Sequence, residues 1–252
     1  MTLIAAFRCA DGLLMVADRE EATASAKRSV PKIVTFLGEG NWAVAVATAG
    51  NAATADLAVS RLGKRLKNVS SKMLRRESEK IIREVVEGVY RDCIWSNPDR
   101  DRDQLDFSLL VAVNLIDSEE QFLYRTAGIV PQPLRTHVCI GVGEDLANYF
   151  ADRLYTDKIG RRELTLLTAF IFREAKRSVR DVGQGTDMCF MFKGAGVFMT
   201  GGESLESLEA DLPAFSDSIK KFWERARLMP RWLKDERLDL GAIQRRAKRL
   251  VE

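Results

Sequence analysis

The chain has 252 residues, 46% of them hydrophobic and 30% charged, the proportions of a globular protein rather than a disordered or membrane-spanning one. Its 39 basic and 36 acidic residues leave a formal charge of +3, too balanced to argue for nucleic acid as a partner. No run approaches the roughly 18 uninterrupted apolar residues that cross a bilayer, and the start MTLIAAFRCADG has no basic flank before its apolar residues, so a cytoplasmic protein with no membrane partner is expected.

Residues 2–9 (TLIAAFRC) and 12–18 (GLLMVAD) are short apolar runs separated by Ala10-Asp11-Gly12, and Asp-Gly between two such runs predicts a β-hairpin. A polar segment, REEATASAKRSVP, leads into KIVTFL, and Gly38 to Asn41 turn the chain into WAVAVATAG, a second strand pair. From Asn51 the spacing becomes helical, with Ala55, Leu57, Val59 and Leu62 set among charges. A second helix is predicted over 71–90, with Ile81, Ile82, Val85, Val86 and Val89 on one face. SNPDRDRDQ reads as a charged loop, after which DFSLLVAVNLI, QFLYRTAG and HVCIGVG return to strand patterning. Helices are predicted over 144–155 and 161–179, the latter carrying Leu164, Leu167, Phe170, Ile171 and Ala175, and DMCFMF and GVFMTG close the strand set.

Helix pairs segregated from runs of strands disfavour a doubly wound sheet and predict an α+β fold of two sheets covered by helix pairs, over residues 1–202. Residues 203–252 read as a charged, mostly helical C-terminal extension, broken by Pro213 and Pro230, with Trp223 and Trp232 marking a docking segment. Its basic residues, from Lys220 to Arg249, read first as a solvated helix face. Cys9, Cys93, Cys139 and Cys189 are too widely spaced for a disulfide framework, and with only His137 beside them they do not make a zinc site; three of them lie in strand-like runs as small hydrophobes. Neither a metal nor a cofactor is expected.

Within that element order Thr2 opens strand one, Ala10-Asp11-Gly12 forms the first turn, Val16-Ala17-Asp18 ends strand two, and Lys32-Ile33 opens the third strand. Ala47-Thr48-Ala49-Gly50-Asn51 precedes the first helix. These motifs resemble the N-terminal half of proteasome β-type subunits and of bacterial HslV-like peptidases, members of the N-terminal nucleophile (Ntn) hydrolase superfamily. The resemblance is dense over residues 2–60 and persists as element order to about residue 200. It implies a four-layer αββα sandwich, a homo-oligomeric ring, peptide-bond hydrolysis in unfolded protein or peptide substrates, and an ATP-dependent unfoldase as a candidate partner.

The same resemblance implies roles for individual residues. Thr2, once Met1 is removed, would be the nucleophile, with its own α-amine as the base; an unperturbed α-amine pKa near roughly 8 suits proton transfer at neutral pH. Lys32 would favour the alkoxide electrostatically, and Asp18 would hold Lys32. Ala47 aligns with the backbone donor to the oxyanion. Asp181 aligns with the second aspartate of the family, while Val142 stands where the family places one serine and Gln184 or Thr186 where it places another. Ala22, Thr23 and Ala49 would pair with the substrate as an added strand. The competing readings are a non-catalytic subunit for structure or gating, which Val142 favours, and a small-molecule amidase, which would need a closed pocket.

Overall fold

A computed structural model describes residues 2–22, 26–39, 41–200 and 208. The described residues fall in a compact unit spanning Met1–Ala210; a second unit, Asp211–Glu252, and with it the predicted C-terminal extension from 203 onward, lies outside the description apart from Leu208.

The architecture is mixed α+β with antiparallel sheets. One five-stranded sheet has the order β10-β1-β2-β11-β12, built from β1 (Leu3–Cys9), β2 (Gly12–Asp18), β10 (His137–Gly141), β11 (Thr186–Phe192) and β12 (Val197–Thr200). The other has the order β5-β6-β7-β8-β9, from β5 (Ile33–Leu37), β6 (Trp42–Gly50), β7 (Phe107–Leu115), β8 (Glu120–Ala127) and β9 (Val130–Pro133). The Asp11-Gly12 hairpin forms as expected, with Cys9 opposite Gly12 and Ile4 opposite Ala17. A small ribbon of β3 (Glu20–Ala22) and β4 (Lys27–Ser29) occupies the segment read from sequence only as a polar lead into the next strand.

Side-chain alternation decides what each sheet face covers. In β6, Ala43, Ala45, Ala47 and Ala49 join Ile4, Ala6, Leu13, Met15, Ala17, Cys189 and Met191 in a core made by both sheets. Trp42, Val44 and Val46 point the other way, into a second core with Leu62, Leu66, Leu74, Ile81, Ile82 and Val86. Those partners belong to α1 (Ala52–Leu66) and α2 (Ser71–Val89), each started by a side-chain cap: Asn51 accepts from the Thr54 N–H and Ser70 from the Met73 N–H. Alanine on one face and bulk on the other therefore sorts β6 between a sheet neighbour and a helix neighbour. On the first sheet, α4 (Glu144–Leu154) packs against β1 and β10, and α5 (Arg161–Ser178) against β1 and β2.

α2 does not stop at Tyr90 but runs into a π-helical turn, Tyr90–Trp95, and the charged loop that follows contains the short helix α3 (Arg102–Leu105). All four cysteines are free; Cys139 and Cys189 are buried, and burial pushes both thiols up to about 12. No helix among the described residues is long and apolar enough to cross a membrane.

Candidate active site

Strand order brings the chemistry-bearing residues to one end of the two sheets. β1 begins at Leu3 where β2 ends at Asp18, and the start of β5 lies opposite the last third of β6, with Ile33 facing Ala47. Thr2, Asp18 and Lys32 meet there. The Thr2 hydroxyl donates to Asp18 Oδ1 at 2.5 Å and accepts from the Lys32 ammonium. Lys32 Nζ also donates to Asp18 Oδ1 at 2.8 Å and to the Glu20 carbonyl at 2.6 Å.

Asp18 is wholly buried, so its charge must be satisfied from within the protein. Besides Thr2 and Lys32 it accepts from the Leu3 N–H at 2.8 Å, and its Oδ2 accepts from the Glu20 and Gly183 N–H groups at 3.2 and 3.3 Å. Burial lowers the Lys32 pKa from 10.5, and the carboxylates of Asp18, Glu20 and Glu21 work against that shift. The lysine is thus a dehydrated cation held charged by acidic neighbours.

The backbone of Thr2 is fixed from the other side. Its carbonyl accepts from the Val142 N–H at 2.8 Å, and Leu3 pairs with Gly141. Gly141 has φ 104°, and a Cβ there would overlap the Thr2 carbonyl oxygen. Gly141→Ala is expected to lower stability by about 1–3 kcal/mol and to slow covalent modification of Thr2. Gly143→Ala is the control, because its Cβ would meet only Leu3 and Val182 side-chain carbons at 3.4 Å. Equal denaturation midpoints and Thr2 reactivities for the two variants would contradict this account.

The remaining sequence-predicted residues are placed as follows. Ala47 is buried and has ladder partners on both sides, Ile33 and Leu110, whereas Thr48, Ala49 and Gly50 are paired only on the β7 side. β6 therefore projects past β5 with a strand edge open on that side among the described residues. Ala22 pairs with Lys27 in the small ribbon, and Thr23 lies outside the described residues. Asp181 sits in the loop from α5 to β11, its carboxylate 4.0 Å from Arg180 Nε, and is not hydrogen-bonded to Thr2, Asp18 or Lys32. Asp181 (φ 68°) and Gln184 (φ 56°) both adopt left-handed backbone, which costs each about 1–2 kcal/mol and holds Gly183 between them with its N–H on Asp18. Val142 is 37% exposed.

Sequence reading missed the Glu20 carbonyl, the Gly183 N–H and Asp187. Asp187 is buried 3.6 Å from Arg19 Nε, and burial raises its pKa against the pull of Arg19 and Lys32. The only signal for the loop was Gly183 and Gly185 just ahead of a strand, a pattern that marks close backbone approach. The clefts of about 970 and 360 Å³ are lined elsewhere, the first by residues including Phe36, Trp42 and Lys67 and the second by residues including Arg8, Arg135 and Tyr155.

No family model matches the chain, and no curated protein matches it either. Solved structures do. An Anbu (Gly-1) mutant from Hyphomicrobium sp. strain MC1 superposes with a TM-score of 0.75 at 17% identity, over 90% of this chain and 100% of that one. Anbu (ancestral beta-subunit) from Yersinia bercovieri gives 0.74 at 19% identity, over 87% and 97%. The helical assembly of the Anbu complex from Pseudomonas aeruginosa gives 0.76 at 20% identity, over 89% and 96%. These matches correct the resemblance drawn from sequence: the neighbours are Anbu chains, a family distinct from proteasome β-type and HslV-like subunits. At this identity the likeness establishes the fold, and the fold is proteasome-like.

Proposed function

We propose that this chain is a threonine-type endopeptidase subunit of a proteasome-like homo-oligomer, with Thr2 as N-terminal nucleophile after removal of Met1. The reading takes the two sheets and two helix pairs as a four-layer αββα sandwich over 1–202, with 203–252 as an appended segment. One observation carries it: a buried threonine hydroxyl, at the start of the first strand, held between the Lys32 ammonium and the Asp18 carboxylate.

In this mechanism the freed α-amine takes the Thr2 hydroxyl proton as the oxygen attacks a peptide carbonyl. Lys32 lowers the energy of the oxygen anion, and Asp18 keeps the ammonium charged and aimed. A backbone N–H from the Ala47–Gly50 end of β6 stabilises the tetrahedral oxyanion. Collapse expels the amine half of the substrate, which takes the proton from the α-ammonium, and water then hydrolyses the Thr2 ester. The open edge of Thr48–Gly50 and the ribbon at Ala22 accept an extended peptide as an added strand, Ala49 and Thr23 among them. Asp181 acts from its loop on the terminal amine, and a water takes the place of the hydroxyls that Val142 and Gln184 lack. The strand edge at Thr48–Gly50, open on the β5 side among the described residues, supports a strand-binding groove over the closed pocket of a small-molecule amidase. A non-catalytic subunit is the second reading, favoured by the aliphatic Val142 beside Thr2. An unfoldase in the cytoplasm would supply extended substrate to the assembly.

Intact-mass analysis of the purified protein is expected to lack Met1, and a peptidyl epoxyketone, which needs both the hydroxyl and the adjacent amine, is expected to add to Thr2. Retained Met1 in hydrolytically active protein would remove the α-amine from the mechanism. Absence of both hydrolysis and adduct in processed, assembled protein would establish the non-catalytic reading.

A further inference from the structure

The strand edge proposed to receive substrate ends at Gly50, and that end is tied to a segment far away in sequence. The Asn51 N–H donates to the Asp106 carbonyl at 2.9 Å, and Asn51 Nδ2 donates to the Gln104 carbonyl at 2.8 Å. Thr54 Oγ1 donates to the Leu105 carbonyl at 2.9 Å. Gly50 has φ 100°, and a Cβ there would stand 2.5 Å from the Asp106 carbonyl oxygen, so the two backbones are in direct contact. Asp106 is in turn gripped by Tyr90, whose phenol donates to Oδ1, the same oxygen that accepts the Phe107 N–H at 2.9 Å. Tyr90 is fully buried and opens the π-helical turn; its ring lies 5.5 Å from Phe107 and 6.0 Å from Trp95. A π-turn interrupts the regular hydrogen bonding of a long helix and recurs where function requires it. Here it coincides with the residue that reaches across to the β6 end.

We propose that Tyr90 is a positioning residue: through Asp106 it sets the conformation of the Gly50-Asn51 corner and so the register of the Thr48–Gly50 edge toward an extended peptide. This rests on the reading of that edge as the substrate strand. Burial and the Asp106 carboxylate both raise the Tyr90 pKa, so the phenol remains a donor throughout the neutral range and the tie does not loosen with pH there.

Two probes separate the positioning role from a general one. A peptidyl epoxyketone must pair with the edge before it reacts at Thr2, whereas a small β-lactone without a peptide portion need not. In assembled protein, Tyr90→Phe is expected to slow epoxyketone inactivation about tenfold, roughly the effect of one lost hydrogen bond, while leaving β-lactone acylation within about twofold. Asp106→Asn keeps an acceptor for the phenol and is expected to stay near the wild-type rate with both. Hydrogen exchange of the Gly50 and Asn51 amides, which does not depend on Thr2 chemistry, is expected to accelerate in Tyr90→Phe while residues 42–46 of β6 are unchanged. Equal slowing with both probes, or unaltered exchange at Gly50 and Asn51, would overturn the proposal. Wild-type protein that reacts with neither probe, with exchange altered as expected, would instead overturn the substrate-strand reading on which it rests.

Discussion

Thr2→Ala is expected to abolish hydrolysis of an unfolded protein or fluorogenic peptide, by about 10⁴-fold or more, while the protein folds and assembles as before. The substitution deletes the hydroxyl that bridges Lys32 and Asp18, but the direct Lys32–Asp18 contact at 2.8 Å remains, as do the Leu3, Glu20 and Gly183 donors to Asp18. Stability should therefore fall by only about 1–3 kcal/mol, because the two charged groups that lose the hydroxyl keep their other partners. Thr2→Ser keeps the nucleophile and loses only a methyl group, so it is expected to retain activity within about tenfold. Denaturant unfolding and turnover measured on the three proteins would separate lost chemistry from lost structure. Undiminished hydrolysis by Thr2→Ala would sink Thr2 as the nucleophile.

The elements legible in the sequence are those whose side chains carry a periodic pattern. Alternation in WAVAVATAG identified β6 because alanine meets one neighbour and bulky side chains the other, and the 3.6-residue spacing of Ile82, Val86 and Val89 identified α2. β3 and β4 escaped because Lys27–Ser29 is exposed throughout, which leaves no apolar face to read. β9, VPQP, escaped because two prolines, which cannot donate to a ladder, leave no strand pattern in four residues, and it tolerates them as the edge strand of its sheet. The π-turn after Val89 has no pattern of its own, since Tyr90 and Ile94 continue an apolar stripe that a regular helix would also carry.

The same distinction divides the candidate site. Thr2, Asp18 and Lys32 announce themselves by residue type at strand ends, and the fold brings them together. The Glu20 carbonyl and the Gly183 and Val142 N–H groups do as much to hold the arrangement, but any residue supplies a backbone group, so type and spacing could not reveal them. Gly141 is the exception: its φ of 104° and its contact with the Thr2 carbonyl demand glycine, and that demand is visible as Gly-Val-Gly at the end of β10. What residue types could not do was choose between families of one architecture; the superposed structures are Anbu chains, and at 17, 19 and 20% identity they show the fold.

Asp18→Ala is expected to be the more damaging change for stability, with a pH dependence that identifies its cause. The carboxylate is wholly buried and the Lys32 side chain is only 10% exposed, so deletion of Asp18 strands a dehydrated ammonium. Breaking a buried ion pair from one side costs about 3–5 kcal/mol, or roughly 6–20 °C in Tm for a domain of this size. Lys32 already titrates below 10.5 because of burial, with Asp18 foremost among the charges opposing the shift; without Asp18 its pKa falls further. In the window between that depressed value and the unfolded value near 10.5, the unfolded chain binds more protons than the folded one, so stability rises with pH there. The window opens at lower pH in the variant. The deficit of Asp18→Ala relative to wild type should therefore be largest at neutral pH and shrink as pH approaches 10.5, which paired denaturation curves between pH 7 and roughly 10 would measure. Adding Lys32→Met removes the stranded charge and fills its space with an apolar chain, so the double variant should recover about 2 kcal/mol or more at pH 7 while remaining inactive. A deficit that is flat or growing with pH, or a double variant no more stable than Asp18→Ala, would mean that the lost N–H acceptors, not Lys32, account for the damage.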